Sequence, residues 1–137
     1  MTVQDDQLGI LLPPHNTEAE QGLIGALLAD SASTWPLVRA SLKPLHFFEP
    51  VHARLYEAID ALTSAGKIAS PVTVKNAFDK DETLAEIGGS QYLAQLVSRA
   101  ALRASLKDYA ELLRDLAARR NDSRPRLDHR RHEHCSA

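Results

Sequence analysis

Four side chains that commonly bind metal, His129, His132, His134 and Cys135, fall within seven residues near the end of the sequence. A structural zinc site needs ligands fixed in a tetrahedron by a framework. Here they crowd among arginines whose charge opposes a dication, so the compositional reading prevails and no metal site is expected. Gly66-Lys67 is the nearest approach to a phosphate-binding loop, G-x-x-x-x-G-K-[ST]. Position 61 is Ala, and Ile68 stands where a magnesium-binding hydroxyl belongs, so no nucleotide site and no cofactor is expected. His15, His46 and His52 are scattered among apolar residues without the local partners that acid–base work requires, and they read as structural. Asp81-Glu82 reads as a solvated turn, and no serine or cysteine lies in a nucleophile signature. A DNA-reading helix over 71–79 would offer only Lys75 and Asn76, followed by Asp79. By this reading the chain alone is not an enzyme.

The elements that would carry these residues are helical. Apolar residues make up 44% of the 137 positions and aromatics only 5%, so the core must be built from Leu, Ala, Ile and Val. Ala and Leu lose little entropy in a helix, whereas β-branched residues are stiffer there, and the expected class is all-α. Pro13-Pro14 enforce an extended entry. Thr17-Glu-Ala-Glu20 reads as a capping box opening a helix over 17–30, with Leu23, Ile24, Leu27 and Leu28 on one stripe. Gly22, Gly25 and Ala26 leave that helix open to close approach. Further helices are expected over 34–42 (Trp35, Leu37, Val38, Leu42) and over 50–65, which starts at Pro50 and stops at Gly66. Another spans 71–79, with Ser70 and Pro71 as its cap and first residue. Short helical turns follow at 84–87 and after Ser90, which reads as the cap of a helix carrying Tyr92, Leu93, Leu96 and Val97. In the last helix, 104–120, Leu106, Tyr109, Leu113 and Leu116 recur at spacings of 3, 4 and 3, a narrow seam suited to another helix.

Charge is uneven. Residues 1–118 hold 10 Lys+Arg against 15 Asp+Glu (net −5), and residues 119–137 hold 6 against 3 (net +3). An acidic body is a poor stand-alone DNA binder, because phosphate neutralisation supplies most non-specific affinity. One cysteine cannot build a disulfide framework, and neither a secretory signal nor a long apolar run is present, which reads as cytoplasmic. The expected organisation is a flexible arm over 1–16, a helical domain over 17–120 and a disordered Arg/His-rich tail over 121–137.

Taken in order, several stretches resemble the N-terminal domain of DnaB-type bacterial replicative helicases. They are Pro13-Pro-His-Asn-Thr-Glu-Ala-Glu-Gln21, Leu23-Ile-Gly-Ala-Leu-Leu28, Phe47-Phe-Glu-Pro-Val-His52 with Leu55 and Ile59, Val72-Thr-Val74, Gly88-Gly-Ser-Gln-Tyr-Leu93 and Tyr109-Ala-Glu-Leu-Leu-Arg114. Each motif is weak alone, but the ordered set over about residues 13–120 is specific. The resemblance implies a compact head of about six helices followed by the first, shortened helix of a helical hairpin. In that family such domains pair through their hairpins, build a ring collar above ATP- and magnesium-dependent 5′–3′ helicase domains, and receive primase and loaders. It therefore implies helicase subunits, primase and a loader as partners, with DNA contacted indirectly. Leu106, Tyr109, Leu113 and Leu116 become the candidate interface, with Thr17, Glu20, Ser70 and Pro71 as structural caps. The sequence departs from the family pattern after Arg120, where Asn121-Asp-Ser-Arg-Pro-Arg126 replaces a continuing helix, and this reads as a truncated or frameshifted copy. A free-standing modulator of helicase or primase, or a small DNA-binding regulator, are the alternative readings.

Overall fold

The computed structural model describes residues 13–77 and 88–123. Among them are six α-helices, no strands, and two short 3₁₀ turns at Pro44–His46 and Arg103–Ser105. The helices are α1 (Thr17–Ala29), α2 (Ser31–Val38), α3 (Pro50–Ser64), α4 (Pro71–Ala77), α5 (Ser90–Ser98) and α6 (Leu106–Ser123). The short helix expected over 84–87 lies outside the described residues.

Helix α1 is the axis of the fold. Ala19, Glu20 and every residue from Gly22 to Leu28 are buried, because α2, α3, α5 and α6 all pack on it. Its glycines permit this. A Cβ on Gly25 would lie 1.9 Å from the Leu96 carbonyl oxygen, so the backbones of α1 and α5 touch where no larger residue fits. Beside this contact the Ala101 amide donates to the Gly22 carbonyl (2.9 Å), tying the α5–α6 connection to α1. Asp30 ends α1 and begins α2, its carboxylate accepting from the Ser33 hydroxyl (2.7 Å), and the chain turns a corner within one residue. Helix α2 thus starts three residues before the expected position 34 and ends at Val38.

The capping box expected at Thr17 and Glu20 is not formed. Asn16 is the N-cap, its side-chain oxygen accepting from the Ala19 amide (2.9 Å), and Thr17 is the first helical residue. Asn fills this position at least as well as Thr, which leaves Glu20 to turn inward. Similarly, Gly89 (φ +56°) rather than Ser90 occupies the cap position of α5. At α4, the Ser70 hydroxyl accepts from the Thr73 amide (3.3 Å) while the Thr73 hydroxyl accepts from the Ser70 amide (2.8 Å), with Pro71 as the first helical residue. Gly66 adopts φ +79° where α3 stops.

The core runs from Leu23, Ile24 and Leu27 through Leu42, Leu55, Tyr56 and Ile59 to Leu93, Leu96, Leu106 and Leu113. Trp35, Tyr56 and Phe47 form an aromatic wedge with centroid separations of 5.1 Å, and the Tyr56 hydroxyl donates to the Leu42 carbonyl (2.7 Å). Among the described residues no helix is long and apolar enough to cross a membrane.

Candidate interaction face

Helix α6 closes the head with one stripe and faces outward with another. Leu106, Ala110, Leu113 and Ala117 are buried against α1 and α2. The spacing of 4, 3 and 4 is that of a single helix face. Two members of the expected interface, Leu106 and Leu113, therefore belong to this chain's own core, at 0% and 1% exposure. The other two, Tyr109 and Leu116, are half-buried, Tyr109 packing against the edge of that core. Between them lies Leu112, 36% exposed. Tyr109, Leu112 and Leu116 recur at 3 and 4 and line a second stripe of α6, beside the buried one. The expected seam had mixed two adjacent stripes, because apolar residues on neighbouring stripes of one helix obey the same periodicity.

Leu112 is a ridge with a groove on each side. One groove, about 730 Å³, is lined by Leu45, His46, Asp108, Glu111, Arg114 and Asp115 among others. The second, about 770 Å³, lies between the N-terminal half of α1 and the α5–α6 connection, lined by Asn16, Gln21, Gly22, Arg99, Leu102 and Tyr109 among others. Leu45 (71% exposed) and Leu102 (77%) stand beside the ridge.

Two polar assemblies tie the elements of the head together. The first begins at Glu20, fully buried, whose carboxylate accepts from the Phe48 amide (2.5 Å), the Glu49 amide (3.3 Å) and His52 Nδ1 (2.7 Å). Glu49 is the N-cap of α3 but makes no side-chain cap, and Pro50 has no amide to offer. Glu20 thus caps α3 from another helix, with its charge at the positive end of the α3 dipole. His52 Nε2 meets the Tyr92 hydroxyl on α5 (2.6 Å). His52, which has no partner within reach in the sequence, finds its partners on α1 and α5, and these were invisible to local spacing. Burial, the largest cause, pushes the Tyr92 phenol above its ordinary range, and the nearby Glu49 and Glu20 charges add to it.

The second assembly centres on Arg120. Its guanidinium donates to the Pro14 carbonyl (3.0 Å) and the His46 carbonyl (2.9 Å) and lies 5.5 Å from the centre of the Phe48 ring, on which His15 stacks at 4.1 Å. Residues 13–16, expected to belong to a flexible arm, are therefore part of the packed body, while residues 1–12 lie outside the described ones. Helix α6 also runs through Asn121–Ser123, past the expected end at 120. Residues 124–137, with His129, His132, His134 and Cys135, lie outside the described residues. His46 accepts the Lys43 amide on Nδ1 (2.8 Å). Partial burial first, then the Arg114, Arg120 and Lys43 charges, hold its pKa below the ordinary value. Among the described residues no cluster of three or more His, Cys, Asp or Glu side chains could hold a metal ion.

This fold and sequence have clear relatives. Residues 12–115 match the model of the DnaB-like helicase N terminal domain. The replicative DNA helicase DnaB of Rickettsia felis is 39% identical over 108 residues, covering 79% of this chain and 22% of the relative. The replicative DNA helicase DnaC of Bacillus subtilis is 33% identical over 111 residues, covering 80% of this chain and 24% of that protein. This chain thus spans less than a quarter of the length of those two relatives. The crystal structure of the N-terminal domain of DnaB helicase from Mycobacterium tuberculosis superposes with a TM-score of 0.73 at 33% identity, covering 80% of this chain and 77% of that one. On these matches the chain belongs to the DnaB-like helicase N-terminal domain family.

Proposed function

We propose that this chain is a non-catalytic assembly and docking module in DNA replication, acting through the outward face of α6 on helicase subunits, with primase or a helicase loader as further partners. The observation that carries the reading is the Tyr109–Leu112–Leu116 seam, with Leu45 and Leu102 open beside it. Family membership supplies the context, since its relatives are replicative DNA helicases. The first groove beside the seam carries Asp108, Glu111, Asp115 and Arg114, and the second carries Glu18 and Arg99. Neither contains a glycine-rich phosphate cradle, which fits a contact surface better than a nucleotide site.

Sedimentation velocity of the purified chain, alone and mixed with primase or full-length helicase, tests the proposal. A concentration-dependent shift that Leu112→Asp abolishes is expected. Leu112 is already partly solvated, so this substitution spares the core, unlike a change at Leu113. A monomer that binds neither partner would refute the reading, as would ATP hydrolysis by the pure chain.

A further inference from the structure

Another pocket, of about 470 Å³, shares no lining residue with either groove beside Leu112. It opens where α2 meets the start of α6 and is lined by half-buried Leu37 and exposed Arg103, Ala104 and Lys107. We propose that this pocket docks an acidic peptide segment that carries an apolar side chain, the apolar group lying on Leu37 and Ala104 and the carboxylates meeting Arg103 and Lys107.

Charge carries the argument. The two stretches that wall the pocket, 31–48 and 88–107, contain no Asp or Glu, yet hold five cations: Arg39, Lys43, Arg99, Arg103 and Lys107. Outside them, residues 1–118 hold 5 Lys+Arg against 15 Asp+Glu. Positive charge is thus concentrated on two stretches of an otherwise acidic body. Among the described residues the Arg103 guanidinium and the Lys107 ammonium make no hydrogen bond or ion pair, whereas Arg99 is already held by Gln21 (2.8 Å). The next carboxylates along α6, Asp108 and Glu111, line the first groove instead. Ala104 and Lys107 bracket the first residue of α6, so the positive end of that helix dipole adds to the same potential. Two cations without internal partners, set beside aliphatic carbon, match a ligand that is both anionic and apolar.

Nucleic acid fits less well. Single-stranded bases are held by stacking on aromatic side chains, and none lines this pocket. A run of phosphates continuing along α6 would meet Asp108 and Glu111 within about one turn of Lys107. A peptide can end its carboxylates where the cations end. The pocket is separate from the Tyr109–Leu112–Leu116 seam, so this proposal stands whether or not that seam binds helicase subunits.

NMR of the nitrogen-labelled whole chain, titrated with a short peptide alternating aspartate and leucine, tests the proposal. Saturable amide shifts at Leu37, Arg103, Ala104 and Lys107 are expected, weakening as salt is raised. The double variant Arg103→Glu/Lys107→Glu, altered only at exposed positions, should bind about tenfold more weakly, the size expected for two reversed surface contacts. Peptides alternating lysine with leucine, or aspartate with serine, should each bind about tenfold more weakly as well. Absence of saturable shifts at these amides up to about 1 mM peptide would overturn the proposal. Equal binding by either control peptide, or by a folded double variant, would do the same. Tighter occupation of the same amides by oligothymidylate would assign the pocket to nucleic acid, and shifts there on diluting the chain alone would assign it to a second copy. Either result overturns the peptide reading.

Discussion

Replacing Gly25 by alanine should destabilise this protein, although glycine is the poorer helix former. In an exposed helix interior the change would add about 1 kcal/mol of stability through propensity. Here the new Cβ would lie 1.9 Å from the Leu96 carbonyl oxygen, 2.7 Å from its carbon and 3.2 Å from the Ala100 Cα. All three are backbone-positioned atoms of the opposing segment, so no side chain can rotate away. Ordinary carbon–oxygen contact begins at roughly 3.3 Å, so α1 and α5 would have to part by more than an ångström. That opens voids around Leu93 and Leu96, which are fully buried, and stretches the Ala101–Gly22 backbone bond. Overpacking of this kind costs about 1–3 kcal/mol, and more where the backbone must move. Set against the propensity gain, the expected net loss is about 2 kcal/mol, or a fall in Tm of roughly 8 °C for a domain of this size. Gly22→Ala is the internal control: its Cβ would meet the Tyr109 ring edge at 3.3 Å, which a small ring rotation can relieve, and would sit at ordinary contact with the Ala101 methyl (3.4 Å) and the Arg99 carbonyl oxygen (3.5 Å), so it should be near neutral. Urea denaturation of both variants, followed by circular dichroism, checks the pair. A Gly25→Ala protein as stable as the parent would refute the claim that backbone contact, and not chance, keeps glycine there.

Glu20→Gln should cost about 2–4 kcal/mol in urea unfolding, because a carboxylate accepting three N–H donors in a buried site becomes an amide with one acceptor oxygen. Arg120→Met should loosen both chain segments it binds, seen as faster amide exchange at His15 and Asn16 and over residues 45–48, with the head helices unchanged; unchanged exchange would show the clamp to be idle. Burial, chiefly, raises the Tyr56 phenol well above its ordinary value of 10.0, so its contribution to stability is full below that pH and declines as the pH climbs beyond it. Thermal melts across alkaline pH should show this decline, and Tyr56→Phe should flatten part of it. His46 has the opposite sense: its pKa is lowered, so the neutral ring adds stability above about pH 6.5, and this is lost as the pH falls further. Acid melts of His46→Gln should lose that part of the pH dependence.

Helix class, most helix positions and the proline and glycine punctuation were legible in the sequence, because each is a local property. Leu/Ala composition favours helix within a few residues, and Gly66 and Pro50 act on their own dihedral angles. What local spacing could not supply was direction. Glu20 stands three residues after Thr17, as a capping box requires, yet Asn16 was the better cap and the unfilled amides at Phe48 and Glu49, 28 and 29 positions away, claimed the carboxylate. His52 looked isolated in sequence for the same reason: its partners arrive on two other helices. On α6 the periodicity identified an amphipathic helix but could not say which of two neighbouring stripes meets the head. That was decided by the orientation of α6 against α1, which buries Leu106 and Leu113 and leaves Leu112 outside. The sequence by itself determined the helices and their family. Tertiary packing decided which side chains remain on the surface, because burial depends on what approaches a helix face and not on the order of residues along it.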